Sequence, residues 1–313
     1  MHVESSSPAL PRRRSLAISP ERFRTLARWT VAWLILIVAT GATVRLTGSG
    51  LGCHHWPGCQ PNEFLPARGY HSDVEFSNRV VASLTVVATF VTALGALFTP
   101  TLSRGVKTLA WVVFAGTLGQ APLGAVTVYY DLNPYLVITH LLLSFTLVSL
   151  AVLTLLEASR LVRGDGPPLP GIARLGGVAL AVAAVGLAVS GTAATAAGRF
   201  PGSSGSKIVP RLGSFQPSVY WHVRTVAAFG IVFLLLAAWA WARRGTYPWL
   251  LRGCAGLLAI LAVQMTIGEV QYRTYGDVPW WLVLLHVATA ATLVGWTVGV
   301  VGRLWRPVAP ESP

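Results

Sequence analysis

The chain has 313 residues, 53% of them hydrophobic and only 11% charged, with a net charge of +13. Soluble domains carry roughly 25% charged residues, and a larger core cannot explain the deficit, because a soluble surface still has to be solvated. A water-soluble globule is excluded, and the positive charge belongs to one side of a membrane topology, so nucleic acid is not required as a partner.

Residues 1–25 are rich in Ser, Pro and Arg and read as a disordered cytoplasmic tail. A spanning helix needs about 20 mainly apolar residues, and the first such stretch is 26–45. No small-residue cleavage site follows it, so it reads as a retained helix and not a removed signal peptide. It ends with Gly41 and Gly48. A loop follows with Cys53-His54-His55-Trp56-Pro57-Gly58-Cys59, and further on His71. On an oxidising outer side these cysteines read as a disulfide, not a metal site. Whether the pair is a staple or redox-active stays open. The spacing is not that of covalent haem attachment, and His54 and His55 read as loop residues.

The second span, 76–99, is entered through Glu75, Asn78 and Arg79. Glu75 and Asn78 share a helix face. A buried carboxyl there suits proton exchange with a bound substrate; the plainer reading is a rim carboxylate paired with Arg79. The third span, 106–128, contains Gln120-Ala-Pro-Leu-Gly124, and the fourth, 134–157, contains His140. Residues 161–171 cannot continue a helix and form a cytoplasmic linker. Spans at 172–197, 218–242, 248–270 and 279–302 follow, then a tail from 304 to 313. They contain Gly191 and Gly198, His222, Gln264-Met-Thr-Ile-Gly268, and His286. Cys254 is expected to stay a free thiol, and Glu269 reads as interfacial.

With both termini on one side, that side receives 16 of the 24 basic residues. This positive-inside asymmetry makes it the cytoplasmic side, where a basic surface suits anionic lipid headgroups. The marks also recur in order: Gly-x6-Gly, then Gln-x3-Gly, Pro and His. The sequence therefore predicts an all-α polytopic membrane protein, with eight transmembrane helices as two pseudo-symmetric four-helix bundles. The two halves span 26–160 and 172–303.

Ionisable and polar groups inside a membrane are functional-site candidates by default. His140, His222 and His286 each lie five to seven residues past a proline at the outer start of an even-numbered helix, a depth of roughly 8–10 Å. The fourth even helix has Glu75, Asn78 and Arg79 at the matching level. Helices on the diagonal of a four-helix bundle lie about 14 Å apart, given neighbour spacings of about 8–10 Å. That gap suits two imidazoles flanking a haem, and His222 with His286 is the candidate pair. Arg79 and Arg224 are candidate partners for haem propionates. The competing use of such histidines is as hydrogen-bonding glue between helices. Zinc is disfavoured because no Cys or carboxylate completes a tetrahedral shell in the second half.

Gly41-Ala-Thr-Val-Arg-Leu-Thr-Gly-Ser-Gly-Leu-Gly-Cys53, Trp56-Pro57 with Cys59, Val74-Glu75-Phe76-Ser77-Asn78-Arg79, Gln120-Ala-Pro-Leu-Gly124 and the three span histidines together resemble the haem A synthase family (the CtaA type). The resemblance runs from about residue 28 to 303. It implies a second half that holds a haem b cofactor through His222 and His286. The first half then receives haem O as substrate through His140, Asn78 and Arg79, and its ring methyl is oxidised to a formyl group to give haem A for terminal oxidase assembly. It also implies a catalytic role for Glu75, a Cys53–Cys59 disulfide, haem sites toward the extracytoplasmic face, a haem O-producing enzyme as partner and an unidentified electron donor; a homo-oligomer stays open. One departure stands out. The family's Glu-x-x-His-Arg reads Glu-x-x-Asn-Arg here, so His140 is left to bind the substrate iron alone. A non-catalytic b-type cytochrome is the alternative, although it needs haems near both faces. A transporter would show broken midplane helices, and a prenyltransferase would need aspartate-rich cytoplasmic motifs.

Overall fold

A computed structural model describes residues 17–53, 55, 58–66, 68–203 and 209–309. Expectations for residues 1–16, His54, Trp56-Pro57, Lys207 and residues 310–313 fall outside these. The described residues form eight helices: α1 Pro20–Leu46, α2 Tyr70–Leu97, α3 Arg104–Tyr129, α4 Pro134–Arg163, α5 Gly171–Ala197, α6 Phe215–Ala242, α7 Pro248–Arg273 and α8 Trp280–Trp305. Each is long and apolar enough to cross a membrane. Large apolar side chains such as Val182, Ile231, Leu234 and Leu235 point outward. In water such a surface would aggregate, whereas lipid tails solvate it.

The starts of the helices follow local chemistry. Pro20, Pro134 and Pro248 occupy first-turn positions, where a missing N–H costs nothing. The side chains of Ser19, Ser103 and Asn133 cap α1, α3 and α4. This capping corrects the expected tail: residues 20–25 are helical, because Ser19-Pro20-Glu21 is a start signal and Phe23 is buried against α2 and α3. His71 lies in the first turn of α2, not in the preceding loop. At the other end α8 runs on through Trp305. The segment after it is pinned to the linker, with Gly166 N–H donating to Pro307 O (3.0 Å) and Ala309 N–H to Gly164 O (3.1 Å).

The helices pack as two rings, α1–α2–α3–α4 and α5–α6–α7–α8, with α2 facing α4 and α6 facing α8 across each ring. The rings meet along α4 and α8, flanked by α1 against α8 and α5 against α4. Exchanging the halves maps this seam onto itself, so a pseudo-twofold axis runs between α4 and α8. Small residues let the seam close: a methyl on Gly302 would lie 2.6 Å from Leu156, and one on Gly295 would lie 3.4 Å from Val148. The face bearing the disulfide loop is clasped across the halves as well. Gly50 N–H donates to Gly202 O (2.7 Å), and Arg45 donates to Thr195 O (3.2 Å).

In the second ring Leu180, Phe229, Phe233, Leu250, Leu257 and Leu304 form an apolar floor. Phe229 and Leu293 each lie seven residues past the histidine of their helix, about two turns deeper. The histidines stand above that floor, near the disulfide face.

Candidate functional site

One pattern recurs four times, once on each even helix. Asn78, His140, His222 and His286 each lie against a glycine of the preceding odd helix. A methyl there would sit 4.0 Å from Asn78 Oδ1 at Gly41, and 3.7 Å from His140 Cε1 at Gly124. At Gly191 it would sit 3.1 Å from His222 Cε1, and at Gly268 3.4 Å from His286 Cε1. Absence of a Cβ makes room at His222, where the fit is tightest; at the other three an added methyl would make ordinary van der Waals contact. These are glycines of the sequence repeat, so the repeat marks the places where an odd helix meets a polar group on its neighbour.

Hydrogen bonds repeat as well. Gln120 donates to His140 O (3.2 Å) and Ser144 Oγ (3.0 Å), and Gln264 donates to His286 O (2.8 Å) and Thr289 Oγ1 (2.7 Å). Each glutamine holds the backbone of its histidine and leaves the ring free. Just before the glycines of α1 and α5 stand two hydroxyls. Thr40 donates to Asn78 Oδ1 (2.8 Å), and Ser190 Oγ lies 3.0 Å from His222 Nδ1. The hydroxyl roles of Thr40 and Ser190 were not visible from sequence. Threonine and serine in membrane helices usually bond their own preceding turn, and only register against the repeat glycines distinguishes these two.

The rings of His222 and His286 converge, with centroids 6.5 Å apart and planes at 82°. Two imidazole–metal bonds of about 2 Å, with about 1 Å from each nitrogen to its ring centre, give about 6–6.5 Å between centroids. The pair fits the two axial positions of one haem iron. Buried Nδ1 atoms of His140 and His286 have no protein partner. Among the described residues no three His, Cys, Asp or Glu groups gather to hold a bare metal ion. The donor set therefore suits a macrocycle that brings its own equatorial ligands.

Glu75 is both buried and ion-paired. It is 5% exposed, and it is paired with Arg79, Oε1 to Nη2 at 2.6 Å. Its other oxygen accepts the Cys53 N–H at 2.8 Å. Arg79 also donates to Gly58 O (2.6 Å) and His55 O (2.7 Å). The loop between the cysteines is thereby tied to α2 through the same two side chains. Cys53 and Cys59 form a disulfide, both fully buried. Gly52 packs so closely on the His71 carbonyl (2.4 Å from an added methyl) that only glycine fits. The carboxylate is thus held rigidly beneath a cross-linked loop, on the helix face that also carries Asn78.

Other candidates lie away from this level or are otherwise engaged. Arg224 is exposed, hydrogen-bonded to Tyr220 and stacked over Tyr220 and Trp221. Glu269 pairs with Arg273 on the surface. Cys254 is a buried free thiol near the start of α7.

Similarity to known proteins agrees with this geometry. A family model described as cytochrome oxidase assembly protein matches residues 24–298. A heme A synthase from Bacillus pumilus is 33% identical over 144 residues, covering 44% of this chain and 46% of that protein. One from Shewanella oneidensis is 31% identical over 156 residues, with coverage of 45% and 47%. One from Symbiobacterium thermophilum is 30% identical over 260 residues, 78% of this chain and 84% of that protein. The chain thus spans about half the length of the first two relatives and most of the third. With a match running through all eight helices, it belongs to the cytochrome oxidase assembly protein family.

Proposed function

We propose that the chain is a haem A synthase, an oxidoreductase that oxidises a ring methyl of haem O to a formyl group and supplies haem A for terminal oxidase assembly. The observation that carries this reading is the His222–His286 pair, spaced for one iron, in a molecule whose other half repeats the same frame around different groups. The second half, 172–303, is the cofactor half, with haem b held by His222 and His286. The first half, 26–160, is the catalytic half: His140 holds the substrate haem, with Asn78 and Arg79 beside it. An amide is a poor iron ligand, so the side of the substrate facing Asn78 stays open.

Haem b, when bound, relays electrons. The chain's own groups orient the substrate and handle protons. Glu75 is the catalytic carboxyl: anchored by Arg79 and the Cys53 N–H, it delivers protons at a fixed point as successive hydroxylations, each consuming dioxygen, two electrons from the donor and two protons and releasing water, carry the methyl to a hydrated aldehyde. The disulfide loop screens that point from water. The distribution of Arg and Lys supports a cell-membrane protein with both termini cytoplasmic and the haem level toward the extracytoplasmic face. Upstream stands an enzyme that makes haem O; the electron donor is a separate partner.

The direct test is to extract and chromatograph haems from cells that make this chain alongside a haem O source. A haem A peak is expected. Haem O that persists unconverted, while the chain carries its b-type haem, rejects the activity.

A further inference from the structure

The environments of the two axial candidates differ. His286 Nδ1 is buried without a partner, whereas His222 Nδ1 faces Ser190 Oγ at 3.0 Å. Ser190 in turn lies 2.6 Å from Thr225 Oγ1, and Thr225 donates to His222 O at 2.8 Å. One arrangement of protons satisfies every link of this closed chain. The Thr225 proton goes to the backbone carbonyl, so the Ser190 proton goes to Thr225 Oγ1 or to the Leu187 carbonyl at 3.1 Å. In that arrangement Ser190 has only lone pairs for the ring, and His222 Nδ1 is the donor. Its Nε2 is left bare, as a metal ligand requires.

We propose that Ser190, backed by Thr225, is a positioning residue that fixes the His222 tautomer and tunes the haem b that His222 and His286 hold; this rests on the cofactor reading given above. A histidine ligand that donates through its second nitrogen is the more basic ligand and favours ferric iron. The two ligands of this haem are therefore unequal: His222 is strengthened by Ser190, and His286 is not.

The test uses the purified full chain with its haem, by redox titration and by low-temperature electron paramagnetic resonance of the ferric state. Ser190→Ala is expected to keep the haem and shift the ferric–ferrous balance at fixed potential roughly tenfold toward ferrous, a rise of about 59 mV for a one-electron couple. Its g-values should change, and Ser190→Thr should restore both readouts. Thr225→Val, which releases the Ser190 proton, should move the potential the same way. A haem-replete Ser190→Ala with the potential and g-values of the parent overturns the proposal. If the alanine chain loses its haem, Ser190→Cys decides: a smaller shift in the same direction supports the role, and none rejects it. A parent chain that binds no haem would overturn the cofactor reading itself, a different result.

Discussion

His222 and His286 are useful because of what adjoins them. Each ring rests on a glycine of the neighbouring helix and stands above a tightly packed floor, so its approach to the bundle axis is set by packing. His222→Ala or His286→Ala should abolish the reduced b-type absorption spectrum of the purified chain; an unchanged spectrum in both rejects them as ligands. Glu75→Ala should keep that spectrum and yield no haem A from supplied haem O, whereas full conversion would remove Glu75 from the mechanism. The three histidines were legible because an imidazole in a spanning segment is conspicuous. Their partners were not: Thr40, Ser190 and Thr225 are ordinary residues for a membrane helix, and their roles depend on which helix lies alongside. The dual state of Glu75, buried and ion-paired, also needed the loop, since the amide that shares the carboxylate belongs to Cys53.

Helices were the most legible level, because span length and hydropathy are local properties. Their edges were less so. α1 begins six residues before its expected start, since its first turn is polar outside and apolar only at Phe23, a pattern that a hydropathy window averages away. Glycine spacing was visible as a repeat, but its meaning is a matter of contact. Gly191→Val puts carbon within the 3.1 Å that separates an added Cβ from His222. Overpacking of this kind costs about 1–3 kcal/mol and here falls on the proposed ligand. Haem content per chain should drop while the helical circular dichroism persists; undiminished haem would show that the ring does not depend on this contact. In the loop, replacing Cys53 and Cys59 together by Ser should lower stability by about 2 kcal/mol on the loop-closure argument, read as a fall in melting temperature that a reductant reproduces in the parent chain.

At the scale of the whole molecule, the halves are related by an axis through the α4–α8 seam, and residues on that axis meet their own counterparts. Leu156 and Gly302, each sixteen residues beyond the histidine of its helix, are in contact. Arg45 and Thr195, each four residues beyond the site glycine, are hydrogen-bonded. Gly302→Leu should therefore destabilise the chain, and adding Leu156→Gly should recover much of the loss; two effects that merely add in a double-mutant cycle would deny the contact. In a symmetric dimer one gene position has to serve on both sides of such an axis, so a knob would always face an identical knob. A single polypeptide that encodes both copies escapes that constraint. Leucine can fill the notch that its twin leaves, an arginine can grip the carbonyl of its twin, and an asparagine can stand where the other copy keeps a histidine. Difference between the two halves is therefore written first in the seam, where unlike twins already interlock.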